Sequence, residues 1–375
     1  MRLVIIGGGI LGTAHAFAAV TRGHEVVQLE RESQARGASA RDLGLIRVSG
    51  CTDAELDRTL RSRLLWEEIG GRVPTVGFRP CGSITLVRTE AELAVAEAAA
   101  ARADAEAYGF ELLDPERVRT VHPALGGKFT AGLHCAADAA VESRQALPAL
   151  RAYLTATGRY TFHAATEARN VADTGSGATV RDDHGRVFAA DLVLHCPGAA
   201  HNGLTRELAG ELPVRRVRLQ LMQTAPLGEP LTTAVADGDT FRHSPGFAGP
   251  EADRLAAEQS QAAIAAEHAM QLLCVQRVHG GLTVGGTHEY LEPFDFAVDD
   301  APYEHLTEVA EELLGRRLPA VVKRWAGVYS GSVDPAAVVT RARAADHVWV
   351  ITGAGERGLT LGPVIGAETA DLLGL

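Results

Sequence analysis

A chain of 375 residues with 46% hydrophobic content and a mean hydropathy of +0.02 is larger than one small core usually organises, so a globular fold of two domains is expected. The net charge of −11 argues against nucleic acid or an anionic membrane as the main partner, and an anionic ligand would need a local basic pocket. No apolar run approaches the roughly 18 residues of a membrane span, and residue 2 already leads into a strand, so no leader and a cytoplasmic location are expected. Cys51, Cys81, Cys135, Cys196 and Cys274 lie far apart, without CxxC or His/Cys metal spacing, and read as buried small hydrophobes; no metal is expected.

Leu3 to Ile6 is an apolar run of strand type, followed at once by Gly7, Gly8, Gly9, Ile10, Leu11 and Gly12. This is the dinucleotide-binding glycine pattern in its required setting. Gly7 lets the strand turn sharply, Gly9 lets the backbone approach a pyrophosphate, and Gly12 lets the following helix pack on the strands. Phosphates then sit on the helix N-terminus. A second strand, Glu25 to Leu29, ends in Glu30, an acid about 20 positions past the glycines, where a ribose hydroxyl is held.

The next stretch, RESQARGASARDLGLIRVSG, is rich in Gly, Ser and Arg and reads as a ligand-lining loop, with a solvated basic loop as the alternative. Together with the glycines and Glu30, its GASARDLGLIR resembles the flavin-dependent amine oxidases of the D-amino acid oxidase superfamily, to which glycine oxidase and sarcosine oxidase belong. The resemblance covers essentially the whole chain. It implies a Rossmann-type FAD-binding domain, α/β, built from 1–80, 140–213 and 325–375, and an α+β substrate domain with an antiparallel sheet, built from 81–139 and 214–324. In that family Arg31 would follow the ribose-binding acid, Ala38 and Ser39 would meet phosphate, and Arg41, Asp42, Leu43, Gly44 and Leu45 would line the flavin.

Further along, Asp53 to Gly70 reads as an amphipathic helix capped by Thr52 or Asp53 and ended by Gly70 and Gly71. Ser83 to Val87 reads as a strand, Glu90 to Tyr108 as an alanine-rich helix, and LLDPERVRTVHPAL resembles the family's short helix before HPAL, with His122 structural. Ser143 to Tyr153 is a helix, leading into strands at Tyr160 to His163 and Thr166 to Val171; by the resemblance the backbone near Ala168 meets adenine. A hairpin follows from Gly177 to Phe188 around Asp182 to Gly185, then a buried strand from Leu192 to Cys196. Cys196, Pro197 and Gly198 match the family's turn beside the cofactor.

From Val214 the pattern changes to longer strands with one wet face: VRRVRLQLMQT, TTAVADGDTFRHSPGF, MQLLCVQR and LTVGGTHEY. A helix from Tyr303 to Leu314 covers them, and Lys323 to Tyr329 leads back to the cofactor side. Val348 to Thr352 is a buried strand, after which GAGERGLTLGP enters a helix running to Leu373. Its glycines allow close approach, and its N-terminus offers N–H groups and partial positive charge. In the family these groups, here Gly355, Glu356, Arg357, Gly358, Leu359 and Thr360, face the pyrimidine edge of the flavin.

LQLMQTAP, FRHSPGF, GGTHEY and RWAGVYS resemble a branch associated with organophosphonate metabolism. The implied reaction is oxidation of a small anionic primary or secondary amine, preferably an aminophosphonate, by hydride transfer to flavin N5; the imine then hydrolyses and molecular oxygen becomes hydrogen peroxide. An amino acid or N-methyl amino acid substrate, a dehydrogenase using another acceptor, and a noncatalytic flavin- and metabolite-binding protein are the rival readings. Neither a Ser-His-Asp set nor HExxH stands out, and a monomer or homodimer is expected.

Guanidinium is the natural clamp for such an anion. LIR places Arg47 where sarcosine-oxidase relatives keep a substrate arginine, with a surface ion pair as the competing account. Strand alternation would send Arg242 and His243 to opposite sheet faces, so at most one would meet the flavin. His243 and His288 are site candidates against a structural role. Tyr329 falls where relatives place an aromatic near the ring, and Arg357 would reach substrate or flavin. Gly327 stands where covalent relatives carry a cysteine, so FAD is expected to be noncovalent. Thr360 stands where sarcosine-oxidase relatives keep a lysine.

Overall fold

The computed structural model describes residues 1–295 and 297–375. Two large sheets organise it. The first has six strands, in the order Thr340–Ala345, Val348–Thr352, Leu192–His195, Arg2–Ile6, Glu25–Leu29, Tyr160–His163. All its pairings are parallel except that of Thr340–Ala345 with Val348–Thr352. Parallel strands are covered on both faces, which is why Leu3, Val4 and Ile5 are all fully buried rather than alternating. Helix Ile10–Thr21 packs on this sheet and against the C-terminal helix Gly358–Leu372. A three-stranded antiparallel sheet, Ala168–Asp173, Ala178–Asp182 and Val187–Ala190, is attached to it. Asp182 closes its hairpin by accepting from the backbone N–H groups of His184 and Arg186, as the turn chemistry implied.

The second sheet has eight strands: Val321–Ser332, Val214–Pro226, Gly281–Gly285, Leu273–Gln276, Ala234–Ala236, Ser83–Val87, Ala131–Cys135 and Phe110–Leu113. It is antiparallel except where Ala234–Ala236 runs parallel to Ser83–Val87. Helix Asp300–Leu314 lays Tyr303, Leu306, Val309 and Leu313 over one face, where they pack with Met222, Leu282 and Val284.

Several elements differ from expectation. Glu90 to Tyr108 is interrupted into Glu90–Ala100 and Ala105–Tyr108. Between them Arg102 turns inward to Asp104 and to the carbonyl of Gly246, contacts that a continuous helix would not place together. The expected loop after Glu30 contains a short helix, Ala38–Arg41, and a short strand, Leu45–Ile46, paired with Ala139–Ala140. FRHSPGF is not a strand: Thr240–His243 is a helical turn and Pro245–Phe247 a 3-10 turn, so the alternation argument for Arg242 and His243 fails. Residues 325–332, allotted to the cofactor side, continue the outer strand of the eight-stranded sheet.

Candidate functional site

A cleft of about 880 Å³ runs along the C-terminal ends of the parallel strands and under the outer strand of the second sheet. At its floor the glycine turn divides its labour. Gly7 has φ +111°, and a Cβ there would stand 2.2 Å from the carbonyl oxygen of Cys196; at Gly12 it would stand 2.0 Å from the carbonyl oxygen of Gly7. Both positions are closed to a side chain by the protein itself. Gly9 is different: its φ of −74° suits any residue, and an added Cβ would meet only Ser39 Oγ, at 3.4 Å. Nothing in the protein requires glycine there, so the bare backbone is a cradle facing the cleft. With the first-turn N–H groups beyond Ile10 in the helix that begins there, it fits a dinucleotide pyrophosphate.

The turn is braced by side chains that sequence reading missed. Gln28 Nε2 donates to Gly7 O at 2.7 Å, and the Tyr160 hydroxyl donates to Gln28 Oε1. Arg151 Nη1 donates to Gly8 O at 3.1 Å. A glutamine between the apolar residues Val27 and Leu29 of strand EVVQL was the one available signal. Glu30 Oε2 accepts from Gly8 N at 2.7 Å and Oε1 from Glu32 N at 3.0 Å, which fixes the acid at the cleft wall. Ser39 Oγ accepts from Ile10 N at 2.9 Å.

Of the anticipated cofactor residues, Gly7, Gly9, Ile10, Leu11, Gly12, Glu30, Arg31, Ala38, Ser39, Arg41, Ala168, Cys196, Pro197, Gly198, Gly355 and Gly358 line the cleft. Asp42, Glu356 and Leu359 line an adjoining recess of about 50 Å³, with Leu219, Gly327 and Tyr329. Leu43, Gly44, Leu45, Arg357 and Thr360 line neither space. They stand behind the wall: buried Arg277 donates to the carbonyls of Leu43 and Val141, Leu45 pairs with Ala140, and Thr360 Oγ1 accepts from Arg47 N at 3.1 Å. Burial, opposed by the Gly44 hydrogen bond and by Arg277, raises the Asp42 carboxyl to about 7.

Near the recess lies a charged cluster. Arg47 is 8% exposed and its Nη2 donates to Ser244 Oγ; among the described residues no carboxylate lies within 4.0 Å of it. Burial lowers its pKa, against the raising influence of Glu356 and Asp138. The loop after it is clamped by Asp138, fully buried, which accepts from Val48 N, Ser49 N, Ser49 Oγ and Ser83 Oγ. Nothing in CAADAAV marked that aspartate.

His288 Nε2 donates to Glu356 Oε2 at 2.8 Å and its Nδ1 donates to Ala269 O at 3.2 Å. Both ring nitrogens therefore face acceptors, which only the doubly protonated imidazolium satisfies. Burial lowers the His288 pKa, but the hydrogen bond to Glu356 and its charge outweigh this, and the net direction is up. For Glu356 burial pushes upward and is overcome by the His288 hydrogen bond and by the charges of His288, Arg47 and Arg357, which hold the carboxyl at about 2.

The other candidates separate. Tyr329 is 9% exposed and lines both spaces; burial and the negative charge of Glu356 raise its pKa. His243 is depressed by burial and then by the charge of His288, which places it beside the same cluster. Arg242 is turned away, to Asp239 at 3.1 Å and to the carbonyl of Gln259. Arg357 binds Glu55 at 2.9 Å and Thr59 at 2.6 Å on helix Asp53–Arg72, and so braces the start of the C-terminal helix.

Among the described residues no group of His, Cys, Asp and Glu has the arrangement of a metal site, and no helix is long and apolar enough to cross a membrane.

The fold is shared with glycine oxidase from Geobacillus kaustophilus, at TM-score 0.75 and 21% identity over 100% of this chain and 95% of that one. It is likewise shared with L-proline dehydrogenase from P. horikoshii, at TM-score 0.79 and 19% identity over 99% and 92%. In sequence the chain is 24% identical over 246 residues to the mitochondrial pyruvate dehydrogenase phosphatase regulatory subunit of Mus musculus. That match takes in 64% of this chain but only 28% of the mouse protein. Residues 2–372 match the family described as DAO, FAD dependent oxidoreductase, and the chain belongs to that family, with FAD as its cofactor.

Proposed function

We propose that this protein oxidises a small primary or secondary amine that carries an anionic group, with aminophosphonates the preferred class. The observation that carries the reading is Arg47. A guanidinium buried without a carboxylate partner is costly unless something anionic completes it, and a phosphonate or carboxylate does so with a planar fork of hydrogen bonds. The net charge of −11 on the protein as a whole makes such a local cationic point the determinant of anion binding.

FAD, when bound, supplies the acceptor for the hydride equivalent taken from the carbon that bears the amine. The chain's residues do the rest. The Gly9 backbone, the N-terminus of helix Ile10–Thr21 and Ser39 would hold the pyrophosphate, and Glu30 a ribose; the start of helix Gly358–Leu372 would meet the ring with N–H groups and partial positive charge. Leu219, Tyr329 and Leu359 exclude water from the recess, and Arg47 orients the anionic end of the substrate. With Gly327 in the recess and no cysteine beyond Cys274, attachment of FAD is noncovalent.

Two acceptors are in competition. Oxygen, yielding peroxide, is the family-based reading; a carrier-linked dehydrogenase is favoured by Thr360, an uncharged side chain, 2% exposed, that pins Arg47 N where relatives hold a lysine. Turnover of an amine panel with oxygen and, separately, with an artificial dye tests both points. Aldehyde or oxo-acid product from 2-aminoethylphosphonate, glycine or sarcosine but not from ethylamine, which carries no anionic group, is expected. Equal turnover of ethylamine contradicts the anionic-substrate reading.

A further inference from the structure

We propose that Glu356, anchored by His288, is the seat of the substrate's amine, so that Arg47 and Glu356 together select a zwitterion. The inference rests on the anionic-amine reading above and names what receives the other end of the same molecule.

Arg47 and Glu356 each shift the other's pKa, yet they form no ion pair within 4.0 Å. Instead Arg47 turns to Ser244 and Glu356 to His288. Glu356 lines the recess and Arg47 does not, and a ligand that met both charges would carry both complements. Glu356 also keeps an acceptor: Oε2 accepts the hydrogen bond from His288 Nε2, while Oε1 accepts nothing among the described residues. The side chain is 35% exposed and lines the recess with Tyr329 and Leu359.

Two other charges of the cluster are already matched. The imidazolium of His288 is spent on Glu356 and the Ala269 carbonyl, and Arg357 on Glu55 and Thr59. His243, Tyr329 and Tyr290 approach the cluster, and the pKa shift of each works against the charged form of its side chain. Arg41 and Asp42 also line the recess, Arg41 bound to the carbonyls of Arg36 and Ala326 and the Asp42 carboxyl raised by burial to about 7; beside them Arg47 offers its guanidinium to the anion and Glu356 its second oxygen to the ammonium. A carboxyl held at about 2 is a poor base, so Glu356 positions the amine, and the ammonium gives its proton to water before hydride can leave the carbon that bears it.

The test is calorimetric titration of the FAD-loaded protein with a pair of ligands that cannot be oxidised at the amine-bearing carbon. These are 2-amino-2-methylpropylphosphonate, which has no hydrogen on that carbon, and 2-methylpropylphosphonate, which lacks the amine. Wild type is expected to prefer the zwitterion by about tenfold or more, the worth of one charge-assisted hydrogen bond. Glu356→Gln is expected to bring the two ligands to within about twofold while binding of the amine-free phosphonate is retained or strengthened. His288→Asn, which leaves the carboxylate charged but unanchored, is expected to reduce the preference and serves if the glutamine variant fails to retain FAD. A wild-type preference that persists in both variants overturns the role of Glu356 alone. Failure of wild type to bind either phosphonate overturns the anionic-substrate reading, and this inference with it.

Discussion

Substituting alanine at Gly9 and at Gly12 separates what the fold needs from what the cofactor needs. At Gly12 the new Cβ would stand 2.0 Å from Gly7 O and 2.9 Å from Gln28 Nε2, and the nearer neighbour is backbone, which cannot rotate away. Alanine inside a helix gains about 1 kcal/mol over glycine, but overpacking against main chain costs about 1–3 kcal/mol or more, and here it also disturbs the Gln28 bond. The net loss falls on the apoprotein, and each kcal/mol is worth roughly 2–4 °C of melting temperature in a chain of this order of size. At Gly9 the methyl group meets only Ser39 Oγ at 3.4 Å, and an alanine N-cap costs roughly 0.5–1 kcal/mol. The Gly9→Ala apoprotein should therefore melt within about 2–4 °C of wild type. Its methyl nevertheless occupies the pyrophosphate path, and a clash of about 2 kcal/mol weakens FAD roughly 30-fold. Scanning calorimetry of the apoproteins and titration of FAD by fluorescence quenching read the two effects separately. Wild-type FAD affinity in Gly9→Ala, or a stability loss there as large as in Gly12→Ala, would refute this division.

Arg47→Ala should weaken an amine that carries an anionic group by about 2–5 kcal/mol in kcat/KM while leaving an amine without one little changed; equal losses on both would remove its anchoring role. Asp138→Ala strips the acceptor from the loop after Arg47, leaving buried donors unpaired at about 1–3 kcal/mol each, and is expected to lower stability and to raise KM for the anionic substrate, read by chemical denaturation and steady-state kinetics. Asp237, 3% exposed, is raised from 3.8 to about 7 by burial and then by the charge of Asp239. Because the folded value lies above the ordinary one, its contribution to stability is full below about 4 and is lost as pH rises through about 7. Asp237→Asn should thus match wild type near pH 4 and melt higher above pH 7, and a melting temperature unchanged from wild type at pH 8 would contradict that sign.

The elements that were legible in the sequence are those whose signal is local. A strand, a glycine turn and a second strand ending in an acid occur within the first 30 residues, and local spacing is enough to place Gly7, Gly12 and Glu30. The buried strand Val348–Thr352 announced itself by the unbroken apolar run from Val348 to Ile351. FRHSPGF misled because alternation cannot distinguish a strand from a short helical turn, and Arg242 is held by Asp239 only three residues away. The site itself depends on contacts between distant residues. His288 and Glu356 are 68 positions apart, and Arg47 and Ser244 are 197 apart; no periodicity encodes either meeting. Asp138 escaped for the same reason, since a buried aspartate among alanines looks like a solvated turn until the loop it clamps is folded around it.

The most direct test of the central claim is the flavin spectrum of the purified holoprotein under anaerobic conditions, before and after addition of 2-aminoethylphosphonate and, in parallel, ethylphosphonate. The account predicts that the aminophosphonate bleaches the flavin and that the amine-free phosphonate perturbs the spectrum without bleaching it. A flavin that neither this amine nor glycine, sarcosine or D-alanine can bleach would contradict amine oxidation and leave a flavin- and metabolite-binding protein in its place.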